Sequence, residues 1–203
     1  VNVAKLLQKV SEEKPLLAKK LVDKVCLGLI RTGLKAKEDG VRVDFLSFLQ
    51  ALVQHCGQAS PRIKDMAGLQ DPDPDLDFFE NMRHVQLHRR GRAMARLAKR
   101  LQEEPGLLKR ANLSQVILPL ATVYLLTDNY SKNSQLVEQA IELVGAVNST
   151  LPWQYYENNI KYYLELFAKE IQHQKQLVKI VTAILDAFHF DLNKDEPKPT
   201  AVP

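Results

Sequence analysis

The chain has 203 residues, 45% hydrophobic and 26% charged, with a formal net charge of +4. That apolar share suffices for one substantial core or for a continuous piece of a longer array, and it excludes disorder of the whole. The longest apolar run, Val116 to Leu126, is interrupted by Pro119 and Thr122 and falls short of the roughly 20 residues a bilayer-crossing helix requires, so the chain reads as soluble.

Apolar residues recur at helical spacing in nearly every long segment, and no run alternates with period two between hairpin turns. The expected fold is therefore all-α. The first residues read as apolar helix with no initiator methionine, which marks the chain as a piece of a longer protein. A first long helix is expected from Pro15 to Thr32, with Leu17, Leu21, Val25 and Leu29 in its stripe and Gly33 stopping it. A second runs from Phe45 to Cys56, capped by Asp44 and ended by Gly57. Between Gln58 and Asp77 proline, glycine and acid accumulate, and Asp71-Pro72-Asp73-Pro74-Asp75 predicts an irregular loop, because proline restrains the residue before it as well as itself.

Asp77, with Glu80 three positions on, has the pattern of a capping box and opens a helix expected to reach about Gln102, before Pro105-Gly106. Asn112 and Gln115 offer another cap before a helix to about Leu126. Further helices are expected near 134–148, 152–169 and 173–188. In the second of these, Trp153, Tyr156, Ile160, Tyr163, Leu164 and Phe167 share one face. Val137, Ala140, Ile141 and Val144 return forty positions later as Leu177, Ile180, Val181 and Ile184, an offset at the short end of the HEAT and armadillo range. The alternative is an ordinary helical bundle. The expected organisation is an N-terminal helical-repeat segment over 1–59, an acidic loop over 60–77, a basic helix with HEAT-like pairs over 78–190, and a flexible tail over 191–203.

Chemistry-bearing motifs are few. Cys26 and Cys56 sit in apolar helical patterns and read as buried free thiols. The sequons at Asn112, Asn129 and Asn148 read as chance matches. His84 and His88 are four apart but lack a third ligand. The run Asp71 to Asp77 lacks the glycine and terminal acid of a calcium loop. No nucleophile elbow or phosphate-binding glycine loop occurs, so neither catalysis nor a cofactor is expected.

The strongest local feature is basic. From Arg83 to Arg100 stand seven cations, Arg83, Arg89, Arg90, Arg92, Arg96, Lys99 and Arg100, and no Asp or Glu; subtracting these seven from the net +4 leaves −3 for the rest. On a helix Arg89, Arg92, Arg96 and Lys99 or Arg100 share one face, and Leu87, Met94, Leu97 and Leu101 another. Guanidinium forks suit phosphate, which makes all seven candidate RNA contacts. A solvated basic face, or one paired with the preceding acidic loop, fits the same residues. Gly91 in the middle leaves room for a local kink. Trp153, Tyr155, Tyr156, Tyr162 and Tyr163 are aromatic enough to stack on bases, but the helical spacing of Trp153, Tyr156 and Tyr163 favours a place for them in the core.

These segments resemble a known family. Asp77-Phe78-Phe79-Glu80-Asn81, then His84-Val85-Gln86-Leu87-His88-Arg89-Arg90 and Arg92-Ala93, are similar to the small-subunit processome component of the down-regulated-in-metastasis protein family. So are Leu118-Pro119-Leu120, Ile141-Glu142-Leu143-Val144-Gly145-Ala146-Val147, Leu151-Pro152-Trp153, Tyr156, Tyr162-Tyr163-Leu164 and Ala187-Phe188-His189-Phe190-Asp191. The resemblance implies a nucleolar scaffold built as a long HEAT-like array. Such a scaffold is non-enzymatic and supports processing of the precursor to small-subunit ribosomal RNA. The implied partners are that precursor, the small nucleolar ribonucleoprotein and other processome proteins, and no membrane. The competing readings are a HEAT-like protein-binding adaptor or transport receptor, and a HEAT-like DNA glycosylase.

Overall fold

The computed structural model describes residues 2–169 and 171–191; the expected tail lies outside the described residues except for Asp191. Among the described residues every regular element is helical. An amphipathic helix α1 (Asn2–Glu13) comes first. Pro15 then opens α2 (Pro15–Lys20), which runs through a π turn (Leu21–Cys26) into α3 (Leu27–Gly33). The expected stripe of this rod is one residue out of phase. Ala18, Val22, Cys26 and Ile30 are buried, whereas Leu17, Val25 and Leu29 are about half exposed. A strict four-residue spacing outruns the 3.6-residue α period, and the wider π turn, in which the Leu27 N–H reaches the Val22 carbonyl, brings the small residues back into phase against α1 and α4.

Helix α4 (Asp39–Cys56) begins well before the expected Phe45, and Asp44 lies inside it. Asp39 occupies its first turn, where a carboxylate opposes the positive end of the helix dipole. The expected loop after α4 is partly helical: α5 (Pro61–Asp65) continues into a 3-10 turn (Met66–Leu69). The Ser60 hydroxyl accepts from the Arg62 N–H, and Ile63, Met66 and Leu69, three residues apart, are all buried. The acidic composition around them obscures that short apolar triplet.

The single basic helix expected from Asp77 is two helices, α6 (Phe78–Arg83) and α7 (Leu87–Glu103). Asp77 caps α6 by accepting from the Glu80 N–H at 2.8 Å, but the capping box does not close. The Glu80 carboxylate accepts instead from Gln50 and Arg83, and the Asp77 N–H donates to the Asp73 carbonyl. The break falls at His84, whose carbonyl accepts from Arg90 Nε at 2.7 Å and whose backbone is extended.

Beyond it α8 (Arg110–Asn112) passes through a second π turn (Leu113–Ile117) into α9 (Leu118–Leu126). Pro119 has no N–H to offer the ladder, and here the Leu118 N–H reaches the Leu113 carbonyl, five residues back. Asn112 is no cap. It is fully buried and donates to the Arg62 carbonyl and to Asp65. Leu118, Leu120, Ala121, Val123, Tyr124 and Leu125 bury nearly the whole circumference of α9, as an all-apolar helix must.

Three helices follow close to their expected positions: α10 (Ser134–Asn148), capped by Asn133, then α11 (Trp153–Lys169) and α12 (Gln174–Asp186). Helix α10 lies against α7, α9 and α12, and α11 packs on α12. The forty-residue recurrence appears as burial. Val137, Ala140 and Val144 are sealed with Ile141 half-buried, and Leu177, Ile180 and Ile184 are sealed with Val181 half-buried. The architecture is all-α and that of a helical-repeat solenoid. Tyr156 and Tyr163 are core, as expected, and the Tyr156 hydroxyl donates to the Ile184 carbonyl at 2.8 Å; Trp153, expected in the core with them, is 38% exposed, and Leu164, expected on the same face, is half exposed. Cys26 and Cys56 are buried and unpaired. No helix among the described residues is long and apolar enough to cross a membrane.

Two buried arginines tie the halves together. Arg42, fully buried, donates through Nη1 to the Ala36 and Lys37 carbonyls and through Nη2 to Asp39 and the Tyr130 hydroxyl. Arg90, 2% exposed, clamps the same carboxylate with both terminal nitrogens, at 2.5 and 2.9 Å. The rings of Tyr124 and Tyr130 lie beside the Arg42 guanidinium, 5.6 and 5.5 Å from it. The hydrogen bond from Arg90 holds the Asp39 carboxyl well below its ordinary 3.8, at about 2, and burial pushes the Tyr130 hydroxyl up to about 12.

Replacing Asp39 with Ala is expected to cost about 2–3 kcal/mol, because Arg90 then keeps a buried charge without its partner while the partial exposure of Asp39 softens the loss. Since the folded-state pKa is depressed, the stabilisation is complete above about pH 4 and disappears as pH falls toward 2. The melting-temperature gap between wild type and Asp39→Asn should close over that interval. The glycines supply a second comparison. A Cβ on Gly33 would lie 2.0 Å from the Phe45 ring, whereas one on Gly28 meets nothing within 4 Å. Urea titration should show Gly33→Ala destabilised by about 1–3 kcal/mol and Gly28→Ala stabilised by about 0.4–1 kcal/mol.

Candidate nucleic-acid interface

Helix α7 presents two faces because its apolar residues recur at three- and four-residue steps. Met94, Leu97, Ala98 and Leu101 are sealed inside. Gly91 brings the helix close to α10, where a Cβ would stand 1.9 Å from Gln139 Oε1, and α7 continues through it without a break. The interruption left open at Gly91 falls instead at His84.

The seven basic residues divide three ways. Arg90 points inward onto Asp39 and is removed from the surface, a correction to its place among RNA contacts: its guanidinium is consumed by the core. Arg83 and Arg89 are only 23% and 21% exposed at the side chain, and both are engaged. Arg83 donates to Glu80 at 2.6 Å, to the Ser47 hydroxyl at 2.9 Å and to the Phe79 carbonyl, which fastens α6 to α4. Arg89 donates to Asp75 and, through Nε, to Asn81 at 3.1 Å. The Asn81 amide in turn donates to the carbonyls of Pro74, Asp75 and Asp77. The acidic loop is thus held against the start of α7, and part of its charge is spent there.

The remaining four, Arg92, Arg96, Lys99 and Arg100, make an arc about 12 Å long on one side of the helix. Arg92 and Lys99 are exposed; Lys99 lies 3.7 Å from Glu103, and both ends of that pair are open to solvent. Arg100 donates to the Gly68 carbonyl at 2.9 Å and is otherwise exposed. Arg96 is half-buried, with one terminal nitrogen lacking a hydrogen-bond partner among the described residues. Burial and then repulsion from Arg92 and Arg89 lower its pKa, against the pull of Asp75 and Asp73. That nitrogen is enclosed by the protein; it is the crowded charge of the row that an added anion relieves, and phosphate supplies both charge and acceptors.

On α11 Tyr156 and Tyr163 are sealed in the core, while Trp153 and Tyr162 are 38% and 51% exposed. Trp153 packs edge-on to Phe188 and Phe190, and Tyr155 lies under the Arg110 guanidinium at 5.7 Å. Among the described residues no group of three or more His, Cys, Asp or Glu side chains could hold a metal, and His84 Nδ1 accepts from the Gln86 N–H. The engaged arginines were not separable from the free ones in the sequence. Their acceptors lie as far away as Asp39, fifty-one positions from Arg90.

No family model matches the chain. It is 29% identical over 159 residues to the U3 small nucleolar RNA-associated protein 20 of Schizosaccharomyces pombe, and 27% identical over 161 residues to the protein of the same name in Saccharomyces cerevisiae. These matches cover 78% and 79% of the chain but 6% of each relative, so the chain spans a small fraction of the curated proteins it matches. The resemblance carried by the motifs between Asp77 and Asp191 is therefore a resemblance of most of this chain to U3 small nucleolar RNA-associated protein 20.

Proposed function

We propose that the chain is a non-enzymatic scaffold segment in ribosome biogenesis that supports processing of the precursor to small-subunit ribosomal RNA in the nucleolus. Its partners in this reading are the precursor RNA or the small nucleolar ribonucleoprotein, together with other processome proteins. The similarity to two fungal U3 small nucleolar RNA-associated proteins supports the pathway. The observation that carries the mode of contact is the arc of Arg92, Arg96, Lys99 and Arg100. It stands on a helix whose opposite face is anchored in the core, so little ordering entropy is lost when an anion binds. Arg90, Arg83 and Arg89 hold the arc's support in place and are not proposed as primary contacts. A rigid row of cations on one helix face tracks a phosphate backbone and carries no base information, which suits a scaffold that holds RNA without selecting a short sequence.

Replacing Arg92, Arg96, Lys99 and Arg100 together by Gln should weaken binding to transcripts of the ribosomal RNA precursor irrespective of sequence. It should also flatten the log–log salt dependence by about 3, with unchanged helicity by circular dichroism. Unaltered affinity and unaltered crosslinking in the assembled particle would reject the arc. Replacing Asp75 with Asn releases Arg89 from the acidic loop. RNA affinity at low salt is then expected to rise about twofold to fivefold, an effect that fades as salt screens the added charge.

A further inference from the structure

A second surface lies away from the basic face of α7. A groove of ≈ 360 Å³ opens between α9, α11 and the segment joining α3 to α4. Its floor is aliphatic, made by Leu118, Val123 and Leu126. Thr122 and Tyr163 satisfy each other at 2.6 Å, and Ser114, Thr127 and Asn159 add polar atoms around the floor. One lip carries Lys35 and Lys37, both exposed; the other carries Tyr162, whose side chain is half exposed. No carboxylate lines the groove, and neither ammonium has an ion-pair or hydrogen-bond partner among the described residues. The lysine lip is also held in place. Arg42 Nη1 grips the carbonyls of Ala36 and Lys37 at 2.5 and 2.8 Å, the Lys35 N–H bonds the Thr32 carbonyl, and Leu34 between them is fully buried.

From this arrangement we infer that the groove docks a short acidic segment of a partner protein, one that inserts an aliphatic or aromatic side chain onto the Leu118–Val123–Leu126 floor and sets its carboxylates against Lys35 and Lys37. The inference is independent of what α7 binds. Charge complementarity selects an anionic partner, and the floor selects among anions. Branched aliphatic side chains beneath the cavity match an apolar anchor residue and give a nucleobase no flat partner on the floor, since the half-exposed Tyr162 ring stands at the lip. Lysine at the lip agrees with this, since a mobile point charge serves carboxylates of varying position where a fixed fork would favour phosphate. The clamped backbone lowers the ordering cost of binding.

The test uses the full chain, immobilised and panned with a random peptide display library, followed by fluorescence polarisation of the enriched peptide labelled with fluorescein. Enriched sequences should combine Asp or Glu with Leu, Phe or Trp. The double variant Lys35→Glu, Lys37→Glu should lose about tenfold in affinity, because two attractive contacts become repulsive. Tyr162→Ser, on the opposite lip, should also weaken binding, and it gives a separate reading should the double variant fold poorly. The quadruple glutamine variant of the α7 arc should bind the peptide as wild type does. Peptides without acidic residues, or affinity indifferent to both lips, would overturn the proposal. So would oligo(U) or oligo(A) binding in the groove that the Lys35→Glu, Lys37→Glu variant abolishes, which would make it a nucleic-acid site instead.

Discussion

Two guanidinium groups share one carboxylate at the junction of α4, α7 and the turn after α9, and the placement of everything around them depends on that sharing. Arg42 and Arg90 together bring two positive charges against the single negative charge of Asp39, so carboxylate alone cannot satisfy them. Backbone carbonyls of Ala36, Lys37 and His84, with the hydroxyls of Tyr130 and Tyr124, accept further hydrogen bonds, while Arg42 Nε is left without an acceptor among the described residues. Buried ion pairs contribute little net stability relative to a well-packed apolar substitute, because desolvation offsets their attraction. What they supply here is register. Arg90 meets its acceptors only if α6 ends at His84, and Arg42 meets its own only if the α3–α4 connection turns where it does.

That constraint has consequences at both candidate surfaces. By drawing the His84 carbonyl out of the helical ladder, Arg90 separates α6 from α7 and sets where the exposed arc of α7 begins. By holding the Ala36 and Lys37 carbonyls within the lysine lip, Arg42 shapes one wall of the groove above α9. The same residue type thus serves opposite ends along one short segment. Arginines that are buried on an acid or a carbonyl inside the molecule become fasteners, and those that stay exposed, Arg100 with its bond to the Gly68 carbonyl among them, remain open to an external anion. Asn81 and Arg89 take a middle course, since they spend part of the acidic loop's charge at the start of α7 and leave the C-terminal part of that helix the more positive.

Close approach is the other recurrent device. Gly33 admits the Phe45 ring, Gly91 admits α10, and Gly145 lets α10 come within 3.4 Å of the Ala183 carbonyl of α12, measured from the position of a Cβ. The last two stand on successive contacts of the same helix, α7 to α10 and α10 to α12. Small residues at these crossings allow helices of a stacked array to pack backbone against backbone, so that each pair buries an apolar face it could not bury alone.

Much of this was legible in the residues themselves. The 3.6-residue periodicity of the C-terminal half, with Pro152 and the forty-residue recurrence, determined α10, α11 and α12 to within a few residues and the burial of Val137, Ala140 and Val144 with their counterparts in α12. Local chemistry is sufficient there, because caps and apolar spacing act within a turn or two of the chain. The N-terminal half is less legible for equally physical reasons. Adjacent apolar stripes compete around Leu17 and Ala18, and only packing against α1 and α4 chooses between them. The Ser60-Pro61 cap lies in an acidic, proline-rich context, and the break at His84 answers to Asp39 through Arg90. The basic character of 83–100 was plain from charge alone, but the division of its seven cations into core, loop and solvent was not. Which arginine finds a partner depends on residues tens of positions away, and tertiary structure alone brings those within hydrogen-bonding distance.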